Sequence, residues 1–171
     1  MPAMGHRELV EALEELAELL RTRRTTARLY IVGGAAMAMA YGSDRFTHDI
    51  DALILDNHTA VTQAVEEVAH RRGLPTSWLN EQATAYMPKG DDVHSRVVFD
   101  HPGLLVTAAS PERMLAMKVR AARVTDIPDL QLLVDILGYT TPEQVKETAL
   151  SVFGNEPLPQ RSKSTIATLF T

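Results

Sequence analysis

The chain has 171 residues and no cysteine. Disulfides, thiolate zinc sites and a cysteine nucleophile are therefore excluded, and the composition suits a cytoplasmic protein. Aromatic residues are only 5% of the chain, with one tryptophan, Trp78. That residue is expected in the core rather than as a platform for stacked bases. No run of about 20 apolar residues occurs, so no membrane span is expected. Residues 1–8 lack the basic start and apolar stretch of a signal peptide. An excess of positive charge is also missing. Seventeen Lys and Arg stand against 22 Asp and Glu, for a formal net charge of −5. Proteins that grip duplex DNA by its phosphates are usually basic, so duplex DNA is not an expected partner. Basic residues do gather locally, as Arg21, Arg23, Arg24 and Arg28, and again as Arg113, Lys118, Arg120 and Arg123. Such clusters suit triphosphates or a short piece of RNA.

A hydrophobic content of 45% supports an ordinary core, and the length suits one domain or one domain with a helical extension. The most informative stretch is 30–55. A short apolar run, 29–32, leads into Gly33 and Gly34, then into an Ala- and Met-rich helical segment ending near Tyr41-Gly42. A polar turn follows, then a second apolar run, 50–55, with Asp49 and Asp51 at its start. The pattern predicts strand, tight turn, helix, strand. Alternate residues of a strand share a face, so Asp49 and Asp51 project together while Ile50 points to the core. Two adjacent carboxylates repel, and a hard divalent cation such as Mg²⁺ (or Mn²⁺) relieves the conflict. Glycines at a helix start let the backbone approach an anion closely, where free N–H groups and the helix dipole favour it. This combination of Gly33-Gly34 and Asp49-Ile50-Asp51 resembles the nucleotidyltransferase superfamily. The alternative is a plain glycine turn and two solvent-facing aspartates.

Around this stretch the sequence predicts an amphipathic helix over 7–24, with leucines at helical spacing. A further helix is expected over 58–72, capped by Asp56 or Asn57 and ended by Gly73. Residues 77–87 suggest only short strand-like pieces. Strands are expected over 93–99 and 104–108, joined by a turn at 100–103. Asp100, at the end of the first, is the only nearby candidate for a third catalytic carboxylate, and a turn role would equally explain it. Ser110 fits a helix N-cap with Pro111 in the first turn, and that helix is expected to run to about Val124. Helices from Asp126 or Ile127 to Leu137, and from Thr141 to near Phe153, follow. A short one is expected over 161–170. Residues 1–110 are thus expected to form the core, and 111–171 a helical part packed on the same active site.

The second informative segment is 114–133. Lys118 lies among apolar neighbours on a helix, where it either snorkels or is held as a point charge toward a triphosphate. Asp126 and Asp129 open the next helix, and capping alone would account for Asp126. Taken in order, Lys118, Arg123, Asp126, Asp129 and Leu130 resemble the C-terminal signature of the AbiEii-like and MenT-like nucleotidyltransferases, toxins of bacterial toxin–antitoxin pairs. Upstream, Arg45-Phe46-Thr47-His48-Asp49-Ile50-Asp51 is similar to their Arg-x-Thr-x-Asp-hydrophobic-Asp form. Thr125 departs from the arginine often found there.

The resemblance implies an α/β (α+β) nucleotidyltransferase fold, a small mixed twisted sheet flanked by helices with a helical C-terminal part. It implies metal-dependent transfer of a nucleotide from an NTP, with Asp49 and Asp51 as metal ligands and Gly33 and Gly34 at the triphosphate. Arg45, Thr47, Arg120, Arg123 and Asp129 are implied on the nucleotide side. Lys118 would neutralise phosphate charge. Asp126 would either orient or deprotonate the acceptor hydroxyl, or fix Lys118. The implied acceptor is the 3′ end of a tRNA or another RNA, a protein acceptor stays open, and a cognate antitoxin is the implied protein partner. In some relatives a Ser or Thr at the place of Thr47 is phosphorylated by the antitoxin. Two other readings stand beside this one: a catalytically weak NTP-binding regulatory module, and an aminoglycoside-type enzyme acting on a small molecule.

Overall fold

A computed structural model describes residues 2–171. The chain divides into two compact units. One comprises the residues up to Ala85 together with Ser95–Ala108, and the other comprises Tyr86–His94 together with Ala109–Thr171.

The first unit runs α1 (His6–Thr22), β1 (Ala27–Val32), α2 (Gly33–Ala40), β2 (Ile50–Ile54), α3 (His58–Arg72), β3 (Leu79–Asn80), β4 (Arg96–His101) and β5 (Leu104–Ala108). The five strands form one sheet in the order β3-β2-β1-β5-β4. β1 is antiparallel to β2 and parallel to β5, β2 is parallel to β3, and β4 is antiparallel to β5. This is the mixed α/β architecture that the sequence implies. α1 forms because its leucines recur every three to four residues. Leu9, Leu13, Leu16 and Leu20 are all fully buried, each worth about 1.5–3 kcal/mol in apolar transfer. Trp78 is fully buried as expected, and its indole N–H donates to Val65 O at 2.9 Å.

Two local expectations need correction. Asn57 stands at the N-cap of α3 in a left-handed conformation, but its side chain does not cap the helix. Instead its amide donates to Thr26 O at 2.6 Å, while Asp56 pairs with Arg28 at 2.7 Å. The strand expected over 93–99 is shifted. β4 begins at Arg96 and continues through Asp100 to His101, because both residues pair with β5, at Leu105 and Leu104. The turn is thereby reduced to Pro102-Gly103.

The second unit contains α4 (Pro111–Ala121), α5 (Ile127–Leu137), α6 (Pro142–Val152) and α7 (Gln160–Thr168). Ser110 caps α4 by accepting from Arg113 N at 3.2 Å, and Thr141 caps α6 in a reciprocal box with Gln144. α4 stops three residues short of Val124. Ala122 takes the left-handed conformation at φ +51°, and a 3-10 turn, Val124–Asp126, carries the chain into α5.

Candidate active site

Val32, the last residue of β1, pairs with Asp51 of β2, and Asp51 pairs on its other side with Asn80 of β3. Asp51 is therefore placed between the start of α2 and the end of β3. Immediately after Val32 the chain turns at Gly33 with φ +71°, a conformation that side chains rarely adopt. A Cβ on Gly33 would stand 2.6 Å from Asp51 Oδ2. The glycine is thus what lets the carboxylate lie against the backbone where α2 begins. A Cβ on Gly34 would meet Thr47 Oγ1 at 3.0 Å, so the second glycine makes room for Thr47. The N-cap residue of α2, Val32, has no side-chain acceptor, so no side chain at that position shields the first N–H groups of the helix.

Asp49 lies just before β2, and its carboxylate accepts from Asn80 Nδ2 at 3.1 Å. Ile50 between the two aspartates is fully buried, as the alternation requires. Thr47 is not on the strand. Its backbone bridges Met4, and its hydroxyl donates to Asp49 O at 3.0 Å. Thr47 therefore reaches this cluster through a turn rather than through strand alternation. Arg45 is exposed in the preceding loop, its N–H on Ser43 Oγ at 3.3 Å.

Asp100 is not part of the cluster. It pairs with Leu105, which pairs with Arg28 near the start of β1, whereas Asp51 pairs with Val32 at the end of β1. Four residues of strand correspond to about 13 Å, and Asp100 lies three strands from β2 as well. Asn80 is the functional candidate that sequence reasoning missed. The signal was a polar residue directly after the buried pair Trp78-Leu79, but a two-residue strand leaves no periodicity to read.

In the helical unit, Lys118 is only 8% exposed. Its Nζ lies 2.8 Å from Asp126 Oδ1 and 3.1 Å from Asp129 Oδ2, and both aspartates are buried. The early stop of α4 and the 3-10 turn bring Asp126 back over Lys118. Of the two roles open to Asp126, this contact supports the fixing of Lys118. Arg120 packs its guanidinium on Phe153, 4.4 Å from the ring centroid, and donates to Glu156 O at 3.2 Å. Arg123 is exposed at the head of the 3-10 turn.

The family described as "Nucleotidyltransferase of unknown function (DUF6036)" matches residues 7–147, which include the acidic pair, both glycines and the Lys118 cluster. The chain belongs to this family. No curated protein and no solved structure matched it. Membership supports the nucleotidyltransferase superfamily and leaves the toxin families as a resemblance.

For a DUF6036 chain, the donor set decides whether a divalent cation fits. Asp49 and Asp51 bring hard carboxylate oxygens to the same end of the sheet. Among the described residues, no group of three or more His, Cys, Asp or Glu side chains is arranged for a metal. Mg²⁺ suits so sparse a set, because it keeps several waters and is commonly held by one or two carboxylates together with substrate phosphates. No helix among the described residues is long and apolar enough to cross a membrane.

Proposed function

We propose that this nucleotidyltransferase uses Mg²⁺ or Mn²⁺ held by Asp49 and Asp51 to transfer a nucleotide from an NTP to an acceptor hydroxyl. The supporting observation is the placement of Asp51 against Gly33, where a carboxylate and the open start of a helix adjoin. When bound, the cation supplies charge neutralisation to the phosphates. The chain itself binds and orients. Backbone N–H groups at the start of α2 donate to phosphate oxygens, and Gly33 and Gly34 keep side chains out of their way. The acceptor hydroxyl gives up its proton to solvent water as its oxygen forms a bond to the α-phosphorus, the bond to pyrophosphate breaks, and pyrophosphate leaves with the electron pair of that bond. The order Lys118, Arg123, Asp126, Asp129 supports a part for Lys118 in the same reaction, with Asp126 and Asp129 holding its ammonium.

The toxin role rests on the resemblance of both segments to the AbiEii-like and MenT-like enzymes, and with it the 3′ end of tRNA as acceptor and a cognate antitoxin as partner. Purified protein incubated with each α-labelled NTP, Mg²⁺ and total tRNA tests this reading. Label on tRNA, lost with Asp51→Ala, supports it. Label on protein alone removes the RNA acceptor, and unimpaired growth on expression removes the toxin role.

One observation favours a second reading, an NTP-binding regulatory module with weak catalysis. Asp100 lies at the other end of the sheet, and the residue beside the acidic pair is the neutral Asn80. NTP binding without transfer to RNA, protein or lysate would select that reading.

A further inference from the structure

Asn80 makes three hydrogen bonds through one side chain. Its Nδ2 donates to Asp49 Oδ2 at 3.1 Å and to Ser77 O at 3.0 Å, and its Oδ1 accepts from Gln82 N at 3.0 Å. The backbone contacts on either side of Asn80 fix the plane of the amide. An amide so fixed can present only its N–H to Asp49, since its oxygen already faces Gln82 N. The β2–β3 register sets Asn80 next to Asp51 as well. In a parallel pair, neighbours in register share a face, so one neutral side chain stands beside both aspartates.

We infer that Asn80 is a positioning residue that sets the rotamer of Asp49, leaving Asp49 Oδ1 as the oxygen for a divalent cation. The inference rests on the proposed metal-dependent reading of this site. Asp49 lies outside the strand ladder, so β2 pairing does not orient its side chain. The hydrogen bond that its carboxylate accepts from Asn80 comes from a side chain that is itself anchored to backbone at both ends. Outer partners of this kind typically hold 10–100-fold in metal affinity.

The test is Mn²⁺ binding to the folded protein without NTP, read by electron paramagnetic resonance, for the parent, Asp51→Ala, Asn80→Ala and Asn80→Asp. Thermal unfolding of each is recorded with and without Mn²⁺. The parent binds and Asp51→Ala does not. Asn80→Ala binds about 10–100-fold more weakly at a temperature where it is fully folded. Asn80→Asp keeps an acceptor for Gln82 N but sets a third carboxylate beside two others. Its Tm without Mn²⁺ falls below that of Asn80→Ala and rises more than the parent's when Mn²⁺ is added. If the parent itself fails to bind Mn²⁺, the metal reading fails. If the parent binds and Asn80→Ala matches it, with only Tm lowered, Asn80 merely builds the turn and the inference is overturned. An Asn80→Asp Tm that responds to Mn²⁺ no more than the parent's overturns it too.

Discussion

Replacing Gly33 by alanine tests the geometry on which the site is built. The new Cβ would stand 2.6 Å from Asp51 Oδ2, at a residue with φ +71°. Two costs follow. The left-handed backbone with a side chain costs roughly 1–2 kcal/mol. Asp51 must also swing away, and an off-rotamer side chain costs about 0.5–1.5 kcal/mol. The sum, about 1.5–3.5 kcal/mol, lowers Tm by roughly 3–14 °C for a chain of this size. Because the obstacle is the tip of a side chain, the fold survives while the carboxylate is displaced. Gly33→Ala is therefore expected to lose transfer at temperatures where circular dichroism shows it fully folded. Combining Gly33→Ala with Asp51→Ala removes the clash and keeps the backbone strain. The double variant should then be more stable than the sum of the single effects, by about 0.5–1.5 kcal/mol. An unchanged Tm in Gly33→Ala, or strictly additive effects in the pair, would refute this account of the glycine.

Three further outcomes are expected. Lys118→Met leaves Asp126 and Asp129 buried without their shared ammonium, so chemical denaturation should show a loss of about 3–5 kcal/mol. Adding Asp126→Asn and Asp129→Asn should recover part of that loss, and a change below 1 kcal/mol in the single variant would return Lys118 to a packing role. Burial raises the Glu81 carboxyl, but the Ile54 N–H and His58 outweigh it, so it titrates below the ordinary glutamate range. A carboxyl depressed in the folded state stabilises above its unfolded pKa and loses that contribution as pH falls through the folded one. The stability gap between the parent and Glu81→Gln should be full at pH 7 and close below about pH 4.3, and a gap that stays constant down to pH 3 would contradict it. Thr47→Val loses the hydrogen bond to Asp49 O, about 0.5–1.5 kcal/mol, and should keep much of the transfer activity. Thr47→Glu, which sets a carboxylate beside Asp49, should abolish it, and equal activity in the two would separate Thr47 from the site.

Local signals made much of this protein legible. The bounds of α3 agree with the sequence reading at both ends, because Gly73 supplies a left-handed stop after the periodic valines. The capping of α4 by Ser110 and α6 by Thr141 was likewise readable, since cap chemistry acts within three residues. Asp49-Ile50-Asp51 was readable because strand alternation alone places Ile50 inward. What was not legible depends on contacts distant in sequence. Asn80 acquires its meaning from pairing with Asp51 across α3. β4 extends through Asp100 because β5 offers partners that outweigh the turn preference of Asp100. Asn57 has the composition of a cap, but the carbonyl of Thr26 competes for its amide. The lysine at 118 was visible as an oddity on an apolar face, and only the left-handed turn at Ala122 shows how Asp126 reaches it.

In the proposed reaction Asp49 and Asp51 hold the cation for nucleotidyl transfer. The most direct measurement is label transfer from α-labelled NTPs by the parent, Asp49→Ala and Asp51→Ala, with Mg²⁺ and with chelator. Thermal unfolding serves as the control for folding. Transfer by the parent that chelator abolishes is expected, and none by either variant at unchanged Tm. Undiminished transfer by either variant would contradict it.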